Sequence, residues 1–326
     1  MVVVYVYSKK EAKVLKSNLE QCGAYLNDKN YLVWIDFLKP SQEEKNLLIN
    51  KFKFHPTALE DCFSERFFPK ITDYKDYLYV RVHGLKMEDR GVLEEDSIRT
   101  VSLSSFICEN MLVTYHENPL LSIRELQEKI LEVVAPMAVD TEYLFHHILD
   151  EVVDQYIPVL DKIDKRLDRI ENKIFTHGEE NIMDDIFSLK KRLMRLRRIF
   201  FYQKEVIHKM YQEKYDRICA GCSLYFKNVY DHMDRVLDQT EFYRDMTTGI
   251  LDVSLSIATK KLTEIMNTLT LFAAVLLPLT VIVGIYGMNF KKMPLLHSDW
   301  GFPSVMFFMA FVASILLYYF KRKKWL

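Results

Sequence analysis

Residues Leu269–Met288 read LTLFAAVLLPLTVIVGIYGM, the heart of a run from Ile265 to Phe290 that contains no charged residue. About 20 apolar residues in helical form cross a hydrocarbon core of roughly 30 Å. A buried helix of a soluble protein seldom runs that long without a charge. A second charge-free run, GFPSVMFFMAFVASILLYYF, covers Gly301–Phe320. The connection between the two runs is short, so they are expected to form a transmembrane hairpin with both ends on one side.

Charge asymmetry orients the hairpin. Lys260 and Lys261 precede the first span, and Lys321, Arg322, Lys323 and Lys324 follow the second. Lys291 and Lys292 in the connection are offset in part by Asp299. Basic residues concentrate on the cytoplasmic side, so both termini are expected inside a cell membrane, in a multi-pass arrangement with a short outer loop. Trp300, Tyr318, Tyr319 and Trp325 stand where interfacial aromatics belong. The opening MVVVYVYSKK has neither a basic start nor a cleavage site and is expected as a strand rather than a secretory signal.

Most of the chain nevertheless looks soluble. Charged residues make up 27% of the 326, and 44 basic against 45 acidic residues leave a net charge of −1. That balance lacks the basic footprint of a nucleic-acid binder, and the segment Lys190–Arg198 (KKRLMRLRR) does not overturn it. No phosphate-binding glycine loop is present. Five cysteines, an odd number, suggest reduced thiols. Cys219 and Cys222 form a lone CxxC without a second ligand pair, read as ordinary helix packing.

The expected architecture is an α/β cytosolic domain, then long helices, then the two spans. The division runs as an α/β domain at about 1–120, a helical region at 121–223, a stalk helix at 224–286 continuing into the first span at about 265–286, an outer loop at 287–300, a second span at 301–320 and a basic tail at 321–326. Strands are expected at Val2–Tyr7, Tyr31–Phe37, Tyr77–Val82, Ile98–Phe106 and Met111–Tyr115. Helices are expected near Lys9–Cys22 and Ser41–Phe52, then at Leu126–Val134, at Tyr143–Phe175 with a kink at Pro158, and at Met183–Met210. If Leu224–Tyr286 is one helix, it is a rod on the order of 90 Å, and such a rod needs partners.

Positions 231, 238, 245 and 252, seven apart along this rod, are all Asp; 259, 266, 273, 280 and 287 continue the series as Thr, Met, Ala, Thr and Gly. Asp234, Glu241, Leu269 and Leu276 stand beside it. The series stays on one side only if the helices supercoil. It fits a symmetric pore with an acidic inner mouth, and equally a solvated face followed by a packing face. Met266, Leu269 and Leu277 are candidate apolar constrictions, which gate by dewetting. On another helix, His147, Asp150, Glu151 and Asp154 share a face at ligand-like spacing; the plain reading is a solvated face.

The first span ends in Tyr286-Gly287-Met288-Asn289-Phe290, followed by Met293-Pro294, by Trp300-Gly301-Phe302-Pro303 and by a terminal KRKKWL. Together with HPTALED (His55–Asp61) and ILDV (Ile250–Val253), these resemble the CorA family of magnesium and cobalt transporters along the whole chain. The resemblance implies a homopentameric channel in the lipid bilayer, with one very long pore-lining helix per subunit. It would pass divalent cations, Mg2+ and also Co2+, passively under the membrane potential, with no enzymatic step.

Gly287, Met288 and Asn289 would form the selectivity filter. Mg2+ gives up its waters reluctantly, so neutral carbonyl acceptors such as that of Asn289 would hold the hydrated ion, and Gly287 would adopt a backbone closed to other residues. Thr263, Met266, Leu269, Ala273, Leu277, Thr280 and Gly284 would line the pore. Thr263 stands where many relatives have Asn, and Lys291-Lys292 where they often carry acid. Regulatory Mg2+ would bind near Glu88, Asp89, Asn228, Asp231 and Asp252, with Asn228 in place of an acid. A Zn2+ or Co2+ transporter of the same family, and a membrane-anchored sensor or enzyme, are the alternatives.

Overall fold

The protein is described from a computed structural model covering residues 1–326 except 27, 65–67, 88–98, 132–136, 177–181, 213–214, 216–217, 219–220, 289–298 and 324–326. The chain divides into two compact units, Met1–Ile250 and Leu251–Leu326.

The first unit is built on a seven-stranded sheet in the order β2-β1-β3-β7-β6-β5-β4. Its strands are β1 (Val2–Ser8), β2 (Lys13–Ser17), β3 (Tyr31–Leu38), β4 (Lys70–Asp73), β5 (Leu78–Leu85), β6 (Thr100–Ile107) and β7 (Met111–His116). The β3–β7 pairing is parallel and the others are antiparallel. Every residue of β5 and β7 is buried. Such strands need cover on both faces, and helices supply it.

One face carries α1 (Gly23–Leu26), α2 (Gln42–Asn50) and α3 (Pro56–Phe63). Phe54 stacks on Phe106 at 4.0 Å between ring centres, and Val33, Ile35, Phe37 and Val113 join the same core. Ser41 and Glu44 form a reciprocal capping box that starts α2. The HPTALED segment is the α3 turn itself. The His55 side chain accepts from the Thr57 amide at 3.2 Å, Pro56 opens the helix, and Asp61 pairs with Lys70 of β4.

α4 (Leu121–Lys129) and α5 (Thr141–Asp154) pack on the sheet as well. A β-carbon on Gly84 of β5 would stand 3.0 Å from Leu120 and 3.5 Å from Val152 of α5, so glycine permits this close approach. Two buried polar networks pin the layers. Asp36 of β3 accepts from Thr114 at 2.6 Å and from Gln127 of α4 at 2.8 Å, and lies 3.1 Å from His116 Nε2. Burial alone would lower the His116 pKa, but the Asp36 carboxylate raises it overall. Gln203 of α7 (Ile182–Gln212) accepts from the His83 amide at 3.0 Å and donates to the Tyr156 hydroxyl at 3.4 Å.

Three sequence expectations change. Lys9–Cys22 is not a helix: it holds β2, the edge strand, reached through Ala12 at φ 49. Tyr143–Phe175 is not one kinked helix. It breaks at Gln155 into α5 and α6 (Tyr156–Thr176), with Pro158 in the first turn of α6, where its missing N–H is harmless. The thiols are not all reduced, because Cys222 is disulfide-bonded, whereas Cys22, Cys62 and Cys108 are free.

α8 runs unbroken from Ser223 to Tyr286, 64 residues, and belongs to both units. α9 covers Gly301–Arg322. Both are long and apolar enough to cross a membrane. Pro278 lies inside α8 without ending it, as membrane helices tolerate.

Candidate ion pathway along the long helix

α8 carries every described candidate pore residue. Thr263, Met266, Leu269, Ala273, Leu277, Thr280 and Gly284 are all exposed in the single chain. Between 271 and 286 a different set is half-buried: Leu271, Ala274, Val275, Pro278, Leu279, Ile282 and Tyr286. At 3.6 residues per turn, the two sets centre roughly 180° apart. α9 has its own covered stripe, Gly301, Val305, Met309, Val312, Leu316 and Phe320, at helical spacing. From 271 on, the candidate pore residues thus lie on the side of α8 that its own chain leaves uncovered; the turns at 258–270, with Thr263, Met266 and Leu269, are exposed all round.

The polar members of that stripe are acceptors. The Thr263 hydroxyl donates to the Thr259 carbonyl at 2.9 Å, and the Thr280 hydroxyl donates to the Leu276 carbonyl at 2.8 Å. With its hydrogen spent on the backbone, each hydroxyl presents only lone pairs outward. That suits a cation, or the hydrogens of its hydration water. Around them stand Met266, Leu269, Ala273 and Leu277, and the described part of the stripe within the first span holds no carboxylate.

Gly287 and Met288 follow the last turn of α8. The Gly287 amide donates to Val283 at 2.8 Å and the Met288 amide to Ile285 at 3.2 Å. At Gly287 a β-carbon would stand 3.1 Å from the Val283 carbonyl oxygen, so glycine permits this close approach. Asn289, the Lys291–Lys292 pair, Glu88 and Asp89 lie outside the described residues. Asn228, Asp231 and Asp252 are exposed on α8.

The acidic series on α8 is partly neutralised, which the sequence did not reveal. Lys204 of α7 pairs with Asp234, and Arg197 of α7 pairs with Glu241 at 2.7 Å. Hydrogen bonding to Asp234 raises the Lys204 pKa above its ordinary value. Within the basic run Lys190–Arg198, Arg197 therefore meets an acid of its own chain. Pairing α7 to α8 depends on which helices become neighbours, and the only advance signal was opposite charge on two long helices. Asp231 and Asp252 stay outward.

Known proteins share this plan. The family model for CorA-like Mg2+ transporter protein matches residues 29–322. The cobalt/magnesium transport protein CorA of Thermotoga maritima is 30% identical over 324 residues, 98% of this chain and 91% of its own. The protein of the same name from Methanocaldococcus jannaschii is 27% identical over 298 residues, 90% of this chain and 92% of its own. The complete structure of the CorA magnesium transporter from Methanocaldococcus jannaschii superposes with a TM-score of 0.85 at 24% identity, covering 100% of this chain and 99% of that one. With the family model running from β3 of the sheet domain to the end of α9, this chain belongs to the CorA-like Mg2+ transporter family.

Proposed function

We propose that the chain is the subunit of a homopentameric channel that passes Mg2+, and also Co2+, across the cell membrane with both termini in the cytoplasm. One observation carries the reading: in a chain of this family, α8 keeps a continuous exposed stripe from Thr263 to Gly284, opposite a half-buried one over 271–286. In water that stripe would be costly, since exposed apolar surface loses about 25 cal/mol per Å2. Symmetric copies meeting around an axis would cover its flanks and leave its centre as a lumen. The Thr263 and Thr280 acceptors then become polar rings, and Met266, Leu269 and Leu277 become apolar ones. A path that holds the ion only by neutral oxygens releases it readily. Gly287, Met288 and Asn289 would form the outer filter.

Cytosolic Mg2+ would close the pore through Asp231 and Asp252, helped by Asn228, Glu88 and Asp89. A bound divalent ion relieves repulsion between acids brought together by neighbouring subunits. The alternative ions Zn2+ and Co2+ use the same frame.

The test is Mg2+ flux into liposomes holding the purified full-length protein. Asn289→Ala is expected to abolish selective Mg2+ flux, and combined Asp231→Asn and Asp252→Asn to weaken inhibition by Mg2+ on the cytoplasmic face. Flux by Asn289→Ala equal to the parent's would remove the filter assignment.

A further inference from the structure

α5 and α8 bring together three metal-ligating side chains that the proposed ion path does not use. Asp150 and Asp154 stand one turn apart on α5, and His232 projects from α8. One ligand atom from each lies within 4.8 Å of the other two. His232 Nδ1 is 3.2 Å from Asp154 Oδ1. That is close to the edge of about 3.3 Å in a tetrahedron built on metal–ligand bonds of about 2.0–2.1 Å.

The seam around this triad holds polar atoms with no partner. Asp150 Oδ1 is shut off from solvent and receives no hydrogen bond. A buried acceptor left in that state has lost its hydration without compensation, at greater cost when it is charged. His146 stands one turn before Asp150 on the same stripe of α5. It is only 7% exposed, and neither of its ring nitrogens has a partner. Its ring lies 5.3 Å from that of Tyr225 and 5.9 Å from that of Phe226, so it sits in the α5–α8 seam that leads to the triad. His147 Nε2 is likewise buried without a partner. A cation at the triad would hold two carboxylates together that otherwise repel, and would offer the Asp150 carboxylate a partner.

The donor set selects the kind of cation. Mg2+ favours an all-oxygen octahedron and keeps several waters. An imidazole beside two carboxylates suits a divalent transition metal of the Zn2+ or Co2+ kind. All three donors come from one chain and lie within Met1–Ile250, so the site needs no second copy. The imidazole and the single-chain origin separate it from the carboxylates at which cytosolic Mg2+ is proposed to act. We propose that Asp150, Asp154 and His232 bind one transition-metal ion and clamp α5 to α8 within each subunit. The site stands whether or not the uncovered stripe of α8 lines a pore.

The experiment uses full-length protein in detergent, stripped with a chelator and titrated with Co2+, then with Zn2+ and Mg2+. The parent is expected to bind Co2+ with visible absorption bands of a nitrogen- and oxygen-ligated site, which Zn2+ displaces and Mg2+ at equal concentration does not. His232→Gln and Asp154→Asn are expected to lose those bands and to weaken Co2+ binding by at least about tenfold. Asp154 is exposed, so its variant keeps the fold, and circular dichroism checks this. Co2+ should also raise the thermal midpoint of the parent and leave that of Asp154→Asn unchanged. Bands and affinity unaltered in both variants, or no absorption in the parent, would overturn the site.

Discussion

The two units solve opposite burial problems. In Met1–Ile250 the large side chains Trp34, Phe106, Phe200 and Phe226 are fully buried, and Asp36 and Gln203 find partners inside. In Leu251–Leu326 the large apolar side chains point outward: Leu269 is 69% exposed and Phe307 76%. The first unit has a core of its own. The second has mostly surface, and its α8 stripe is apolar where a soluble protein would be charged. One chain therefore carries a domain with a buried core and a segment whose large apolar side chains face outward.

Breaking the first unit should cost stability, while changing the second should cost function. Phe106→Ala removes a ring stacked on Phe54 and is expected to destabilise the cytosolic unit by about 3–5 kcal/mol. Leu277→Ala, on the uncovered stripe, is expected to change unfolding by less than about 0.5 kcal/mol while altering Mg2+ flux. Urea unfolding of the detergent-solubilised chain, followed by circular dichroism, sets the two side by side. Equal destabilisation by both would erase the contrast.

A second difference is chemical. His83 of β5 is buried beside Arg81, and burial first, then the Arg81 charge, lowers its pKa from 6.5 to about 4. The folded state therefore binds fewer protons than the unfolded state between those values. Its stabilising share is complete above pH 6.5 and is lost as the pH falls through about 4. That loss is on the order of 3 kcal/mol. His83→Leu should flatten the acid limb of the stability curve by this amount, read from urea midpoints at a series of pH values. An unchanged acid limb would remove His83 as its source.

The smallest effect sharpens the join between α7 and α8. Arg197 and Glu241 are partly exposed, so Arg197→Gln is expected to cost only about 0.2–1 kcal/mol, less at high salt. A cost that does not vary with salt would point to packing rather than charge.

The membrane half was the more legible part. The charge-free runs Ile265–Phe290 and Gly301–Phe320 announce spans because no soluble environment accepts them. The long helix was readable for the same reason: nothing in Leu224–Tyr286 stops it, and Pro278 alone does not. The sheet was legible where strands are buried, as in Tyr31–Leu38 and Met111–His116. It failed at β2, whose Lys-rich edge carries no burial signal, and at β4, which is only four residues long. Composition says little about an edge strand, because its partner supplies the reason for its shape.

By itself, the sequence determined the family and the two long apolar helices, because each is written in contiguous residues. Only the tertiary structure decided that Lys204 and Arg197 meet Asp234 and Glu241, that one face of α8 is covered while the opposite face is not, and that His232 stands against Asp150 and Asp154. Each of these joins residues far apart in the chain, and such neighbours are chosen by how helices pack rather than by spacing along one helix.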